Sequence, residues 1–208
     1  MNARALGVAA LLAATGVAGG YLVGDRVEPA PEQLRVAAPV AGESPSYPSD
    51  PEIAVLPDPD TPALEPAQPV HEARVGSKTF GVRVPVPDGW ARTDNDLVEA
   101  KWAPPGAPLN TYLLRVKIVS GLHLTVDQAL EQRIEALRSV VSEWDLESQT
   151  EDTFVATYVN DSYRRLTMER YLSLGGTGAY VTIVAIGRLR DRVGLADLLE
   201  RATDGAAR

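Results

Sequence analysis

There is no cysteine among the 208 residues, which excludes disulfides, thiol nucleophiles and thiolate metal sites. Histidine is nearly as scarce, with only His71 and His123. A metal site or a Ser-His-Asp arrangement would have to use His123, for which the sequence places no partners. His123 is read instead as a solvated loop residue. No G-x-S-x-G nucleophile elbow occurs. The glycines at 175, 176 and 178 are followed by a strand pattern and lack a lysine, unlike a phosphate loop, which runs into a helix N-terminus. A hairpin turn accounts for them. Lysine is also rare, 3 against 17 arginines, and no basic run or face concentrates enough charge to displace counterions from nucleic acid. Nucleic-acid binding is therefore excluded, and no catalytic, cofactor-binding or metal-binding residue is assigned.

The acidity is unevenly placed. Residues 27–69 hold eight acidic side chains and one basic one, Arg35, whereas residues 70–208 hold nineteen acidic and seventeen basic. The same 27–69 segment holds eleven of the sixteen prolines. Proline fixes φ and removes backbone donors, and like charges repel. Such a segment buries too little apolar surface to offset its ordering entropy. It reads as a disordered acidic stalk, able to reach roughly 130 Å if extended as polyproline II. Residues 70–208 remain for a single packed domain of ordinary size.

Ahead of the stalk, Arg4 is followed by an uncharged run over residues 5–24, closed by Asp25 and Arg26. Twenty helical residues span about 30 Å, the thickness of a hydrocarbon core. The first 26 residues are thus a signal anchor or a cleaved signal peptide. In the second case Leu6 to Ala14 form the h-region, and Gly16 and Ala18 suit a peptidase. The anchor is favoured because apolarity continues through Tyr21, Leu22 and Val23. Either way the domain is expected outside the membrane, tethered to it or secreted. Gly16, Gly20 and Gly24 form two overlapping G-x-x-x-G steps that would let two such helices pair as a homodimer.

Alternating and helical periods begin near Arg74. Residues 80–85 read as a strand ending at the Pro87-Asp88-Gly89 turn, and 97–102 as a short strand. Residues 111–119 alternate, with Tyr112, Leu114, Val116 and Ile118 opposite Arg115 and Lys117. Thr125 and Gln128 fit a capping box. Behind it Val126, Leu130, Ile134, Leu137 and Val141 share one helical face. Strands are expected over 153–159 and 163–174, joined at Asn160-Asp161, and over 179–187, which is apolar on both faces and so central. A helix over about 191–202 would bury Val193, Leu195, Leu198 and Leu199. The fold class is α+β: an antiparallel sheet with two main helices, one on each face or both on one.

Residues Val84-Pro-Val-Pro-Asp-Gly-Trp90, the helix start Leu124-Thr-Val-Asp-Gln-Ala-Leu130, the hairpin through Asn160 and the closing strand and helix resemble the actinobacterial LpqN-type exported proteins. Their domain is similar to the PsbP-like fold, an α/β/α sandwich, and the resemblance covers about 80–202. It implies an envelope-associated, non-enzymatic domain, often lipid-anchored. This chain departs at one point: Val17-Ala18-Gly19 is followed by Gly20 where a lipobox has cysteine, so thioether lipidation is impossible.

Carboxylates cluster at Asp94/Asp96, Glu151/Asp152 and Glu143/Asp145/Glu147, in turns or on alternating positions that a solvated face explains. Arg188, Arg190 and Arg192 bracket the last strand–helix junction, with Arg164 and Arg165 on the neighbouring hairpin. They either meet an anionic envelope polymer or lipid headgroup, or are exposed charges paired with Asp191 and Glu169. Arg170 shares the face of Leu166, Met168 and Leu172, and sits at a strand end or is paired within a groove. The candidate binding residues are Arg164, Arg165, Arg170, Arg188 and Arg190. The leading functional expectation is a non-enzymatic binding or scaffolding domain of the cell envelope, whose partner is an envelope protein, polymer or lipid. The alternatives are an extracytoplasmic hydrolase or transferase with an unrecognised site, which a deep pocket joining His123 to a carboxylate and a Ser or Thr would favour, and a carrier of a small apolar ligand.

Overall fold

A computed structural model describes residues 53–108, 110–119 and 123–208. Nine strands and two helices appear among them: β1 (Val70–Gly76), β2 (Gly81–Pro87), β3 (Ala91–Asp96), β4 (Glu99–Ala103), β5 (Leu113–Ile118), α1 (Val126–Arg138), β6 (Ser142–Gln149), β7 (Thr153–Asn160), β8 (Tyr163–Leu172), β9 (Val181–Gly187) and α2 (Arg192–Asp204), the last preceded by a 3-10 turn over Leu189–Asp191. Seven strands form one antiparallel sheet in the order β3-β4-β5-β9-β8-β7-β6, and β1 and β2 form a separate hairpin. The class is α+β, as the periodicities indicate.

Strand alternation assigns the layers, because successive side chains point to opposite faces. Leu114, Val116 and Ile118 of β5, Leu166 and Met168 of β8, and Val181, Ile183 and Ala185 of β9 enter one apolar cluster, with Leu195, Leu198 and Leu199 of α2 and Val82, Val84 and Val86 of β2. Phe154, Ala156 and Tyr158 of β7 and Tyr171 of β8 enter a second cluster with Leu130 and Leu137 of α1. The helices therefore lie on opposite faces, giving an α/β/α sandwich. β9 sits at the middle of the sheet and Val181–Ala185 are all buried. The α1 capping box is complete: the Thr125 side chain accepts from Gln128 N, and the Gln128 side chain accepts from Thr125 N.

Several expectations need correction. Val193 is 69% exposed while Leu195, Leu198 and Leu199 are buried, because α2 turns the side chain two residues before Leu195 away from the sheet. Leu97 lies in the β3–β4 turn at 90% exposure, and the strand starts at Glu99. In the β7–β8 turn the left-handed residues are Asp161 and Ser162, one place further along than expected. The 5–24 apolar run, with Gly16, Gly20 and Gly24, lies outside the described residues. Among the described residues no helix is long and apolar enough to cross a membrane.

The largest difference concerns the proline-rich segment. The compact unit runs Pro51–Arg208, so it takes in residues that composition assigned to the stalk. Leu64 is buried in the first cluster, and its N–H donates to Asp191 Oδ1 at 3.0 Å. Arg188, wholly buried, donates to the carbonyls of Pro59, Thr61 and Pro62 at 3.2, 3.1 and 2.8 Å. Proline removes a donor but keeps its carbonyl. A proline-rich strap is thus rich in acceptors, and a buried guanidinium with five donors satisfies it. The strap packs closely: a Cβ built on Gly194 of α2 would stand 2.1 Å from the Leu64 carbonyl oxygen.

Candidate functional site

α1 rests on β7 and β8, which leaves the β4, β5 and β9 part of that sheet face without a helix over it. Residues on this face follow from the register. Lys117 lies between Glu99 of β4 and Thr182 of β9, and Thr182 lies beside Tyr171 of β8. One step along, Lys101, Arg115, Val184 and Glu169 form the next row. Between these rows and the flank of α1 opens a pocket of about 200 Å³, lined by Arg115, Lys117, Arg133, Glu169, Tyr171 and Thr182 among others.

Its electrostatics are unusual for a sheet face. Glu99 is 4% exposed and accepts from Arg115 Nη2 at 2.8 Å and from Asn95 Nδ2 at 2.5 Å, with Lys117 Nζ at 3.5 Å. Burial alone would raise its pKa, but the Arg115, Asn95 and Lys117 contacts outweigh this and lower it to about 2. Glu169, 1% exposed, receives a bidentate pair from Arg133 of α1, Nε at 2.9 Å and Nη2 at 3.0 Å. Burial works against the Arg133 charge, yet Glu169 holds its pKa above the ordinary value. This fork ties helix to sheet across the mouth of the groove. Burial pushes the Tyr171 phenol up, and the Glu169 charge adds to that.

Three cations of the lining, Arg115, Lys117 and Arg133, thus face one lining carboxylate, Glu169. With Glu99 bound to Arg115 and Lys117 from outside the lining, the set has one positive charge in excess. Two of its buried polar atoms are unsatisfied: Arg115 Nε and Thr182 Oγ1 have no hydrogen-bond partner. The Tyr171 hydroxyl lies beside Thr182 without meeting hydrogen-bond geometry. Native interiors rarely leave such atoms unpaired. Both atoms are closed to solvent, so it is the excess cation of the lining that suits a ligand bringing anionic oxygens.

The five arginines singled out from sequence do not converge. Arg164 pairs with Glu143 on an exposed edge. Arg170 donates to Thr153 Oγ1 at 2.7 Å and Thr203 Oγ1 at 3.1 Å. Arg188 is spent on Asp191 and the strap, where burial raises the Asp191 pKa and the Arg188 and backbone donors bring it below its ordinary value. Arg190 reaches the Pro59 carbonyl. Arg165 alone is both buried and without an ion pair among the described residues. Glu169 pairs with Arg133, not with the junction arginines, and Arg192 takes Glu147 instead. Sequence reading missed Arg133, Glu99 and Glu169. For Glu99 and Glu169 the available signal was a carboxylate at an inward strand position, and for Arg133 an arginine flanking the apolar face of α1 beside Leu130 and Leu137.

His123 is exposed with a positive φ, in a shallow pocket with Gly176, Thr177, Tyr180 and Arg208, and no Asp or Glu side chain is among the described lining residues. His71 pairs with Asp88 at 2.8 Å, both half-exposed. No cluster of three or more metal-ligating side chains occurs among the described residues.

No family model matches the chain, and no curated protein matches it. Three solved structures are similar in architecture. The Ran-binding protein Mog1p of Saccharomyces cerevisiae shares 11% identity over 66% of this chain and 95% of its own, with a TM-score of 0.46. The cyanobacterial PsbP of Synechocystis shares 10% over 65% and 91%, TM-score 0.41. LpqN of Mycobacterium tuberculosis, a protein involved in cell envelope biogenesis, shares 12% over 66% and 90%, TM-score 0.41. These likenesses are of fold alone.

Proposed function

We propose that this chain is a non-enzymatic binding domain of the cell envelope, of the LpqN type, held outside the membrane by its N-terminal apolar run. Its ligand lies in the groove between α1 and the uncovered part of the sheet. The observation that carries the reading is a groove of about 200 Å³ walled by Arg115, Lys117 and Arg133, with one uncompensated cation. A ligand rich in anionic oxygens would neutralise that cation, and the partly buried setting would strengthen each bond it made. Among its described residues the groove joins no histidine to a hydroxyl or carboxylate, and its charged lining is suited to holding a molecule. The extracytoplasmic placement rests on residues 5–24 and the acidic segment behind them.

The test is a titration of the isotopically labelled chain with glycan and lipid fractions of its own envelope, followed by amide NMR. Shifts concentrated at Lys117, Thr182, Val184 and Arg133 support the reading, and Arg133→Gln should weaken binding about tenfold or more, as expected for loss of a charged hydrogen-bonding group. Shifts scattered over the surface, or none at saturating fractions, would refute it.

A further inference from the structure

The same sheet face carries a second polar anomaly, four residues along β8 from Glu169, which does not depend on the groove being a ligand site. Arg165 is 7% exposed. Its guanidinium carries five N–H donors, and its one described acceptor is Asn110 Oδ1 at 3.5 Å, the outer limit of a hydrogen bond. The other arginines of its neighbourhood differ in kind. Arg164 has Glu143, Arg170 has Asp152, Arg133 has Glu169 and Arg188 has Asp191. Asp58 and Asp191 reach Arg165 only through space, and Arg188 repels it. Burial accordingly pulls its pKa down, although the group stays charged at neutral pH. A charge buried this far without an ion pair among the described residues is costly for a fold.

The guanidinium faces a pocket of about 170 Å³ whose walls include Ala103, Ala107, Pro108, Thr111 and Leu113. That volume corresponds to about six waters of bulk liquid. The Thr111 hydroxyl is already engaged, donating to the Pro108 carbonyl at 3.1 Å. The pocket therefore presents one cation at one side and mostly apolar walls elsewhere, the Tyr112 ring among them. Inorganic phosphate or another strongly hydrated polyanion would find too few donors to replace its water. An uncharged apolar molecule would leave the guanidinium unpaired. A carboxylate on a short hydrocarbon body meets both demands, since its two oxygens match the planar fork of arginine.

We propose that Arg165 is the counter-ion of a monocarboxylate ligand whose short apolar body fills this pocket.

Hexanoate titrated into the full-length chain in lipid nanodiscs provides the test, with the arginine Nε–H resonances as readout and hexanol, hexylamine and hexyl phosphate as comparison probes. Hexanoate should move the Arg165 resonance saturably and bind at least tenfold more tightly than hexanol or hexylamine. Arg165→Gln should abolish that preference for hexanoate over hexanol. Arg165→Lys keeps the charge without the fork, and should weaken hexanoate while leaving the rest of the spectrum unchanged. This second variant keeps the test decisive if Arg165→Gln does not fold. Arg133→Gln, in the neighbouring groove, should leave hexanoate affinity unaltered, so that failure of the groove reading and failure of this one give different results. Equal affinity for hexanol, tighter binding of hexyl phosphate, no saturable shift, or insensitivity to both Arg165 substitutions would each overturn the proposal.

Discussion

Replacing Arg188 by methionine isolates the contribution of the strap. In the native protein Arg188 Nε and Nη2 each donate to an Asp191 carboxylate oxygen at 2.8 Å, and both side chains are completely buried. Nη1 and Nη2 supply the donors that the carbonyls of Pro59, Thr61 and Pro62 need. The methionine variant leaves Asp191 buried with only the backbone N–H groups of Leu64 and residue 188. Breaking a buried pair from one side costs about 3–5 kcal/mol. If residues 59–64 then detach, Leu64 loses its burial, a further ~2 kcal/mol. Natural domains have only about 5–15 kcal/mol in total, so the effect is large. Urea unfolding of the 51–208 unit should show the midpoint falling by about 2 M, given slopes of roughly 1–3 kcal/mol/M. Native-state hydrogen exchange should show the Leu64 amide losing its protection first. Combining Arg188→Met with Asp191→Leu should recover much of the loss, because an apolar pair leaves no stranded charge. A single substitution costing under ~1 kcal/mol, with Leu64 still protected, would show that the strap is not held by this pair.

Acid sensitivity should trace in part to Glu99. Its pKa in the folded protein is about 2 against an ordinary 4.5, so its stabilisation is complete above 4.5 and is lost as pH falls towards 2, at most ~3 kcal/mol. Glu99→Gln should remove that portion of the acid-side slope when urea midpoints are compared between pH 7 and pH 3. An unchanged slope would mean that Arg115 and Lys117 do not hold the carboxylate ionised. Gly194→Ala tests the packing of the strap from the helix side. The added methyl would meet the Leu64 backbone oxygen. It should therefore cost about 1–3 kcal/mol from overpacking, despite the roughly 1 kcal/mol that alanine gains over glycine within a helix. A rise in melting temperature would contradict the close approach.

The parts of the fold that sequence discloses are those whose evidence is local. The α1 cap needs only Thr125 and Gln128, and the burial of Leu130 and Leu137 follows from spacing along one helix. β5 and β9 alternate or are apolar throughout because they lie inside the sheet. β3 was not legible because it is an edge strand with all six residues exposed, including Arg92, Asp94 and Asp96. β6, at the other edge, has register shifts on both sides of Asp145 and Leu146, which break the alternation that would have disclosed it. The strap was hidden for a different reason. Its composition does mark a segment unable to fold by itself, but Leu64 is buried by contacts with residues more than a hundred positions away. Long-range satisfaction of that sort leaves no trace in local composition.

The arginines show how far residue type can mislead. Arg164, Arg165, Arg170, Arg188 and Arg190 fall together in sequence and look like one basic surface. The fold separates them by what each finds as an acceptor. Arg188 finds a carboxylate and a set of proline-segment carbonyls, and it becomes the most thoroughly satisfied cation in the described protein. Arg165, on the neighbouring strand and hardly more exposed, finds an amide oxygen at the limit of reach. Burial is nearly the same for the two, so burial cannot separate a structural arginine from one kept for a ligand. The count of acceptors does. Applied to the whole sheet face, the same criterion picks out Arg115 Nε and Thr182 Oγ1, which composition and charge could not have ranked above any other polar group on a strand.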